Sequence, residues 1–363
     1  MMRHRGWWIG GSAALGMILV VAALPGVVGR QIGAAVVDMR AGVDATARLP
    51  DGLHVALCGS GSPLPDPTRA GPCSVVIAGR HLFMVDAGEG GARNMVLMRI
   101  PNARVEAVFL THLHSDHIDG LPPAMLLRWT GANATRPMPV YGPAGTQRVV
   151  AGFNAAYAID QGFRTAHHGP VIAPPAGAGG IGQDIALPPP RDGSPVTVFA
   201  RDGVTVSAFR VDHGPVDPAV GYRFSYKGRS IVFSGDTSAT PAIVRNARGA
   251  DLLVHEGLQP RLVAAMTKAL DRRGQTGLAQ ITRDILTYHA APEEAAAEAQ
   301  AAGVRHLVFS HVIPQLPSRL MYPAFLGDAR QQFGGTITVG EDGMVFSLPA
   351  GTDGVEYRHW PVR

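Results

Sequence analysis

The sequence predicts an α/β protein built from two β-rich segments, each followed by alternating strands and helices. Short apolar runs separated by Gly-rich turns fill residues 53–85, a pattern typical of antiparallel strands. From Val105 onward, apolar runs alternate with helical segments. Gly and Pro are abundant, with 45 and 29 of the 363 residues, which argues against a helical bundle. We therefore expect two sheets covered by helices.

The individual elements follow from local patterns. Predicted strands occupy Leu53–Cys58, Ser74–Ile77, His81–Val85, Val105–Leu110, Ser230–Phe233, Leu252–Val254 and His306–Phe309. A helix is expected from Gly90 to about Met98, another starts with Thr240 as its cap and Pro241 at its first position, and a third covers Pro292–Ala302. These elements belong to one domain over residues 51–350, with a linker over 31–50 and a tail over 351–363. The Pro- and Gly-rich stretch 166–195 reads as a flexible insertion that could act as a lid.

The amino terminus resembles a membrane-directed segment. Arg3 and Arg5 precede Trp7–Leu24, which contains 18 residues without a charge. Residues 1–30 are therefore expected to be a signal peptide or a transmembrane anchor, with a buried helix of a soluble protein as the weaker alternative. This places the chain on the periplasmic or extracellular side, anchored in the inner membrane if the helix is not cleaved. There, Cys58 and Cys73 either form a disulfide or remain two free thiols.

Composition narrows the function classes further. Two cysteines exclude a disulfide-stapled scaffold and a multi-cysteine zinc module. The formal net charge of +4 comes from scattered arginines, so a nucleic-acid groove is not implied. The informative residue type is histidine, with 14 copies.

A dense cluster of metal-binding side chains follows one buried strand. The run Val105–Leu110 leads directly into a segment with His112, His114, Asp116 and His117. Imidazole and carboxylate groups are the ligands that zinc prefers. Polar groups this dense after an apolar strand would be costly without a ligand to satisfy them. The segment therefore predicts a metal site.

Three later strands also end in ligand-type residues. These residues are His213, Asp236 and His311. Each alone is a weak signal, but with the earlier four they make seven donors. Seven is the number that two adjacent metal ions sharing one carboxylate require.

The segment His112–His117 resembles the HxHxDH motif of the metallo-β-lactamase superfamily, and the match is closest to the ribonuclease Z and arylsulfatase-like branch over residues 53–345. The resemblance implies an αββα sandwich with two zinc ions. It implies one zinc on His112, His114 and His213, a second on Asp116, His117 and His311, and Asp236 as the bridge. Asp116 would also orient the attacking hydroxide. Within Tyr288–Ala291, which resembles a later motif of that branch, His289 becomes a candidate general acid, with a surface histidine as the alternative.

The function expected from these features is extracytoplasmic hydrolysis of a phosphodiester or sulfate ester by a metal-bound hydroxide. A small-molecule ester is the expected substrate, because the insertion 166–195 carries Arg191 as its single basic residue and the amino-terminal segment leads away from RNA. Nucleic acid is therefore not favoured as a partner, and a homodimer stays open. The alternatives are a lactone or β-lactam hydrolase and a non-catalytic, membrane-anchored metal-binding protein.

Overall fold

The computed structural model describes residues 25–189 and 193–362. The chain divides into two compact units, residues 1–45 and 46–363. In the first unit, helix α1 spans Pro25–Arg40 and buries none of its side chains. The uncharged stretch 7–24, on which the prediction of a membrane-directed helix depends, lies outside the described residues. Within the described ranges, no helix combines the length and the apolar character needed to cross a membrane.

The strands of the second unit form two sheets. The first six are β1 (Gly52–Gly59), β2 (Cys73–Ala78), β3 (His81–Val85), β4 (Ala107–Phe109), β5 (Met138–Gly142) and β6 (Gly180–Asp184). The next seven are β7 (Val196–Arg201), β8 (Val204–His213), β9 (Val216–Tyr226), β10 (Arg229–Phe233), β11 (Leu252–Leu258), β12 (His306–Ile313) and β13 (Thr336–Val339). The last two are β14 (Met344–Pro349) and β15 (Glu356–His359).

The first sheet is built from the first six and the last two of the described strands, and the second sheet is built from the seven strands between them. Among the described residues, the first sheet has the order β15-β14-β1-β2-β3-β4-β5-β6 and the second has the order β13-β12-β11-β10-β9-β8-β7. Strands β3 to β6 are parallel, as are β10 to β13. Strand β8 runs parallel to β10 because both pair antiparallel with β9. The carboxyl ends of these strands therefore share one edge of each sheet.

Helices cover the outer faces of the sheets. After α1, they are α2 (Gly91–Leu97), α3 (Ser115–Ile118), α4 (Leu121–Ala132), α5 (Thr146–His168), α6 (Pro241–Asn246), α7 (Pro260–Arg272), α8 (Thr276–Asp284), α9 (Pro292–Ala302), α10 (Tyr322–Leu326) and α11 (Ala329–Gln332). Pro241 and Pro292 stand at the starts of α6 and α9, where a missing backbone N–H costs nothing. The predicted strands and helices are confirmed in position.

The main core lies between the two sheets. Phe83 and Phe109 of the first sheet pack against Phe224 of the second, with ring centroids 5.5–6.0 Å apart. Two further apolar clusters fill the spaces between each sheet and its helices. This layering confirms the predicted αββα architecture. A disulfide joins Cys58 of β1 to Cys73 of β2, which resolves the alternative that the sequence leaves open.

The region predicted as a flexible insertion is partly ordered by its neighbours. Helix α5 continues to His168, and β6 adds to the edge of the first sheet beside β5. The Trp129 indole N–H donates a hydrogen bond to the carbonyl oxygen of Pro174, 2.8 Å away, and so ties the insertion to α4. Residues 190–192, including Arg191, lie outside the described residues. The predicted domain boundaries stay predictions.

Candidate metal centre and active site

The predicted metal ligands meet at the common edge of the two sheets. Residues 112–117 follow β4, Asp236 follows β10, and His213 and His311 lie in the carboxyl-terminal parts of β8 and β12. Residues delivered at the carboxyl ends of parallel strands converge, because those ends lie at the same edge. Positions almost 200 residues apart in sequence are thereby brought into contact.

The first group of donors consists of three histidines. His112 Nε2 lies 2.9 Å from His114 Nδ1, and His213 Nε2 lies 3.4 Å from the same His114 atom. One donor atom from each ring falls within 4.8 Å of the other two. His112 and His213 are buried, whereas His114 is exposed at the mouth of the site.

The second group consists of Asp116, His117 and His311. Asp116 Oδ2 lies 3.5 Å from His117 Nε2 and 3.3 Å from His311 Nε2. His311 holds a left-handed backbone with φ of 52°, an unusual conformation for a residue other than glycine, which typically marks a functional position.

Asp236 lies between the two groups. Its Oδ2 atom is 3.1 Å from His311 Nε2 and 3.4 Å from His117 Nε2 in the second group. The same atom is 4.0 Å from His112 Nε2 in the first group. The neighbouring Gly235 permits this approach, because a Cβ atom there would lie 2.8 Å from the carbonyl oxygen of Val220. A single carboxylate thus faces donors from both groups.

The chemistry of this cluster fits divalent metal ions such as zinc. Its donors are imidazole nitrogens and carboxylate oxygens, which are zinc ligands. His117 Nε2, Asp236 Oδ1 and His311 Nδ1 are buried without a hydrogen-bond partner in the described part of the chain. Buried polar atoms normally form hydrogen bonds, so three unpaired atoms this close together indicate that a bound partner, such as a metal ion, belongs in the site.

Contacts behind the donors orient them. His117 Nδ1 donates a hydrogen bond to Asp86 Oδ2 at 2.9 Å, and His213 Nδ1 donates one to the carbonyl oxygen of Tyr288 at 2.9 Å. In both rings Nε2 is left to face the cluster, as in metal-binding histidines. Asp86 also accepts hydrogen bonds from the backbone N–H and the hydroxyl of Thr111 at 2.8 Å each.

Burial and neighbouring carboxylates set the charges in the cluster. Burial lowers the pKa of His112 well below its ordinary value and also lowers the pKa of His213. Burial raises the pKa of Asp236, but His311 and His117 lower it more, so the net pKa lies well below the ordinary value. An ionised carboxylate surrounded by imidazoles is therefore the state expected at neutral pH.

His289 lies against the same cluster and has a carboxylate of its own. Its Nδ1 donates a hydrogen bond to Glu256 Oε1 at 2.9 Å, and its ring stacks 5.6 Å from that of His311. Glu256 Oε1 is held in turn by the backbone N–H groups of Thr237 and Ala290. Burial lowers the pKa of His289, but Glu256 raises it more, to about 9. The Glu256 carboxylate thus favours the protonated imidazole, in which Nε2–H would be available as a proton donor.

Sequence reasoning assigned no role to three residues that this arrangement uses. They are Asp86, Glu256 and Tyr288. Asp86 had a readable signal, since it directly follows the buried strand β3 just as the ligands follow theirs. Tyr288 lies in the segment that resembles a motif of the branch, but its contact with His213 depends on how separate segments pack. The same holds for the contact of Glu256 with His289.

Comparisons with known proteins show which family the chain resembles over most of its length. Residues 81–312 match a family model described as a beta-lactamase superfamily domain. Ribonuclease Z of Mycolicibacterium paratuberculosis is 37% identical over 292 residues, which are 80% of this chain and 96% of that protein. Ribonuclease Z of Mycobacterium marinum is 36% identical over 292 residues, with the same coverage.

The chain belongs to the metallo-β-lactamase superfamily, in its ribonuclease Z branch. Two solved structures share the fold. Human tRNase Z, short form, is 24% identical with a TM-score of 0.56 and covers 82% of this chain and 99% of its own. The Bacillus subtilis protein YhfI is 20% identical with a TM-score of 0.54, covering 82% of this chain and 100% of its own. Members of this superfamily typically bind zinc, and the predicted family and the broad enzyme class of metal-dependent hydrolase are confirmed, whereas the arylsulfatase-like detail is not supported.

The predicted substrate, partners and localisation are wrong. Relatives that align with 80% of the chain are ribonucleases by name, which overturns both the small-molecule sulfate or other ester and the exclusion of nucleic acid. The same finding contradicts the predicted periplasmic or extracellular location and the predicted membrane partner, because both predictions separated the protein from RNA. The scattered arginines and the uncharged terminal stretch were poor guides to substrate, because charge far from the site says little about the groups that bind substrate there.

Proposed function

We propose that this chain is a dinuclear zinc phosphodiesterase that hydrolyses RNA, with precursor transfer RNA as its first candidate substrate. The observation that carries the proposal is a cluster of seven donor residues beside His289, whose Nδ1 donates a hydrogen bond to Glu256. The ribonuclease Z relatives, and the name of the human tRNase Z that shares the fold, supply the substrate class.

Two ions are proposed because the donors divide into two groups around one carboxylate. His112, His114 and His213 would hold one zinc, and Asp116, His117 and His311 would hold the other, with Asp236 shared. When bound, the ions supply Lewis acidity and lower the pKa of water to about 7. Two divalent ions against two ligand carboxylates leave a net positive centre, which favours an anionic phosphodiester over a neutral lactone or amide.

Two side chains of the protein would carry out the two proton transfers of the reaction. Asp116, whose side chain is mostly buried at the site, would accept a proton from the attacking water and orient it towards phosphorus. As the new oxygen–phosphorus bond forms, the bond from phosphorus to the departing nucleoside oxygen breaks. His289 Nε2–H would donate its proton to that oxygen, and Glu256 stabilises the imidazolium beforehand.

The test uses the full-length chain loaded with zinc. We expect two zinc ions per chain and cleavage of a 3′-extended transfer RNA at a single phosphodiester. The same reaction should stop with a chelator and resume when zinc is restored. An Asp236→Ala preparation, purified in parallel, controls for contaminating ribonucleases. Two bound zinc ions without any RNA cleavage above that control would overturn the proposal.

A further inference from the structure

Tyr288 is an aromatic side chain at the mouth of the site that the hydrolytic steps do not use. It follows a short 3-10 turn, Ile285–Thr287, and directly precedes His289. Its side chain is partly exposed. We infer that Tyr288 forms a nucleobase-stacking subsite that holds the base of the departing nucleoside. This inference rests on the proposed RNA hydrolysis.

The ring is held in place before any substrate arrives. The Tyr288 carbonyl oxygen accepts a hydrogen bond from His213 Nδ1 at 2.9 Å, which ties its backbone to a proposed zinc ligand. Its ring centroid lies 5.2 Å from that of His213, in an edge-to-face contact, and 4.9 Å from that of His289. A side chain fixed in this way can stack on a ligand without losing further conformational entropy.

The hydroxyl group of Tyr288 does not help to hold the side chain in the fold. Among residues 25–189 and 193–362, none forms a hydrogen bond with the Tyr288 phenol oxygen. A tyrosine with only an internal packing role would normally bury its ring or satisfy its hydroxyl. Here, by contrast, a preorganised ring remains partly open to solvent beside the reacting groups.

The position of His289 determines which base reaches the ring. If His289 donates its proton to the departing oxygen, the nucleoside that carries this oxygen must lie over residues 288 and 289. Its base then falls next to the Tyr288 ring, since the two side chains are in contact. Single-stranded RNA is commonly held by stacking bases on aromatic side chains, a contact that tolerates every base because each has a π face.

The experiment combines substitutions with a fluorescent base. Precursor RNAs carry 2-aminopurine on one or the other side of the cleaved phosphodiester, and the zinc enzyme is mixed with each in a stopped-flow instrument before cleavage proceeds. Analysis of the products identifies the departing side. It is the fragment that carries a free hydroxyl, and not a phosphate, at the cleaved bond. The variants are Tyr288→Phe and Tyr288→Leu. Tyr357→Leu removes an exposed tyrosine from β15 and is the matched control.

We expect fluorescence quenching only for the probe on the departing side. It should persist in Tyr288→Phe and Tyr357→Leu and disappear in Tyr288→Leu. Loss of the ring should raise KM about 5- to 150-fold with zinc content unchanged, whereas Tyr288→Phe stays within about twofold of the wild type. Cleavage without quenching in the wild-type enzyme, or an unchanged KM in Tyr288→Leu, would overturn the stacking subsite and leave RNA hydrolysis intact. No RNA cleavage by the wild type would instead overturn the proposed function.

Discussion

His112, His213 and His289 lie in the same site, yet their surroundings move their pKa values in opposite directions. His112 and His213 are buried among other imidazoles, and burial lowers the pKa of each. His289 is also buried, but the carboxylate of Glu256 raises its pKa to about 9. His112 and His213 are therefore suited to offer lone pairs to a cation, whereas His289 is suited to hold a proton for transfer.

The comparison teaches that residue type alone does not determine a role in this site. A neutral imidazole is required for metal binding and a protonated one for general acid catalysis. At His289, Glu256 and Asp236 raise the pKa more than burial lowers it. At His112 and His213, Asp236 also raises the pKa, but burial lowers it more. Four substitutions test whether this division of labour holds.

The largest effect is expected from Asp236→Ala, which removes the carboxylate shared by both donor groups. Three imidazole nitrogens within 4.0 Å would lose their common anionic partner. We expect zinc content to fall below two per chain and RNA cleavage to drop more than about 10⁴-fold. Metal analysis and a cleavage assay measure both. Full zinc content in this variant would contradict the bridging position.

His289→Ala should separate proton transfer from metal binding. We expect two zinc ions to remain and cleavage to fall about 10³-fold, since general acid catalysis typically contributes an effect of this size. The matched control is His167→Ala, at the exposed end of α5. It should stay within about twofold of the wild type, as surface substitutions usually do. Loss of zinc in His289→Ala would show that this residue is itself a ligand.

Asp86→Asn tests the support behind the metal cluster. Asparagine keeps the shape of the side chain and tolerates the left-handed backbone at this position, where φ is 55°. It loses the negative charge of the carboxylate, whose Oδ2 atom accepts the hydrogen bond from His117 Nδ1. Zinc affinity should weaken about 10- to 100-fold, the usual cost of removing such a partner, while cleavage at saturating zinc recovers. Competition with a chelator measures the change, and an unaltered affinity would exclude the orienting role.

The smallest change is expected from Glu256→Gln, as a shift in the pH profile. A general acid acts in its protonated form, so wild-type cleavage should fall as pH rises through the pKa of His289. That pKa is about 9 without metal and is lower when metal is bound, because the bound cations repel the imidazolium. Without the Glu256 charge, burial lowers that pKa and only the smaller effect of Asp236 opposes it. The alkaline limb should move to lower pH, with about tenfold less cleavage at pH 7. An unmoved limb would mean that another group titrates there.

Much of the fold and the donor set could be read from local patterns. A buried strand needs a run of apolar residues, and such runs preceded His112, Asp236 and His311. The contacts of Glu256 and Tyr288 could not be read, because they join residues that only the packing of β8, β11 and the turn before His289 brings together. The substrate was also misjudged, since the charge of distant surface segments says little about a phosphate held at the centre.

The sequence by itself determined the order of strands and helices, the type of each donor and the superfamily they indicate. These depend on periodicity and on short motifs, which are local properties of the chain. Only the tertiary structure decided which donors share Asp236, that Asp86 orients His117, and that His289 pairs with Glu256. The protonation states follow from those decisions, because the charge on a buried imidazole depends on groups that fold against it from elsewhere in the chain.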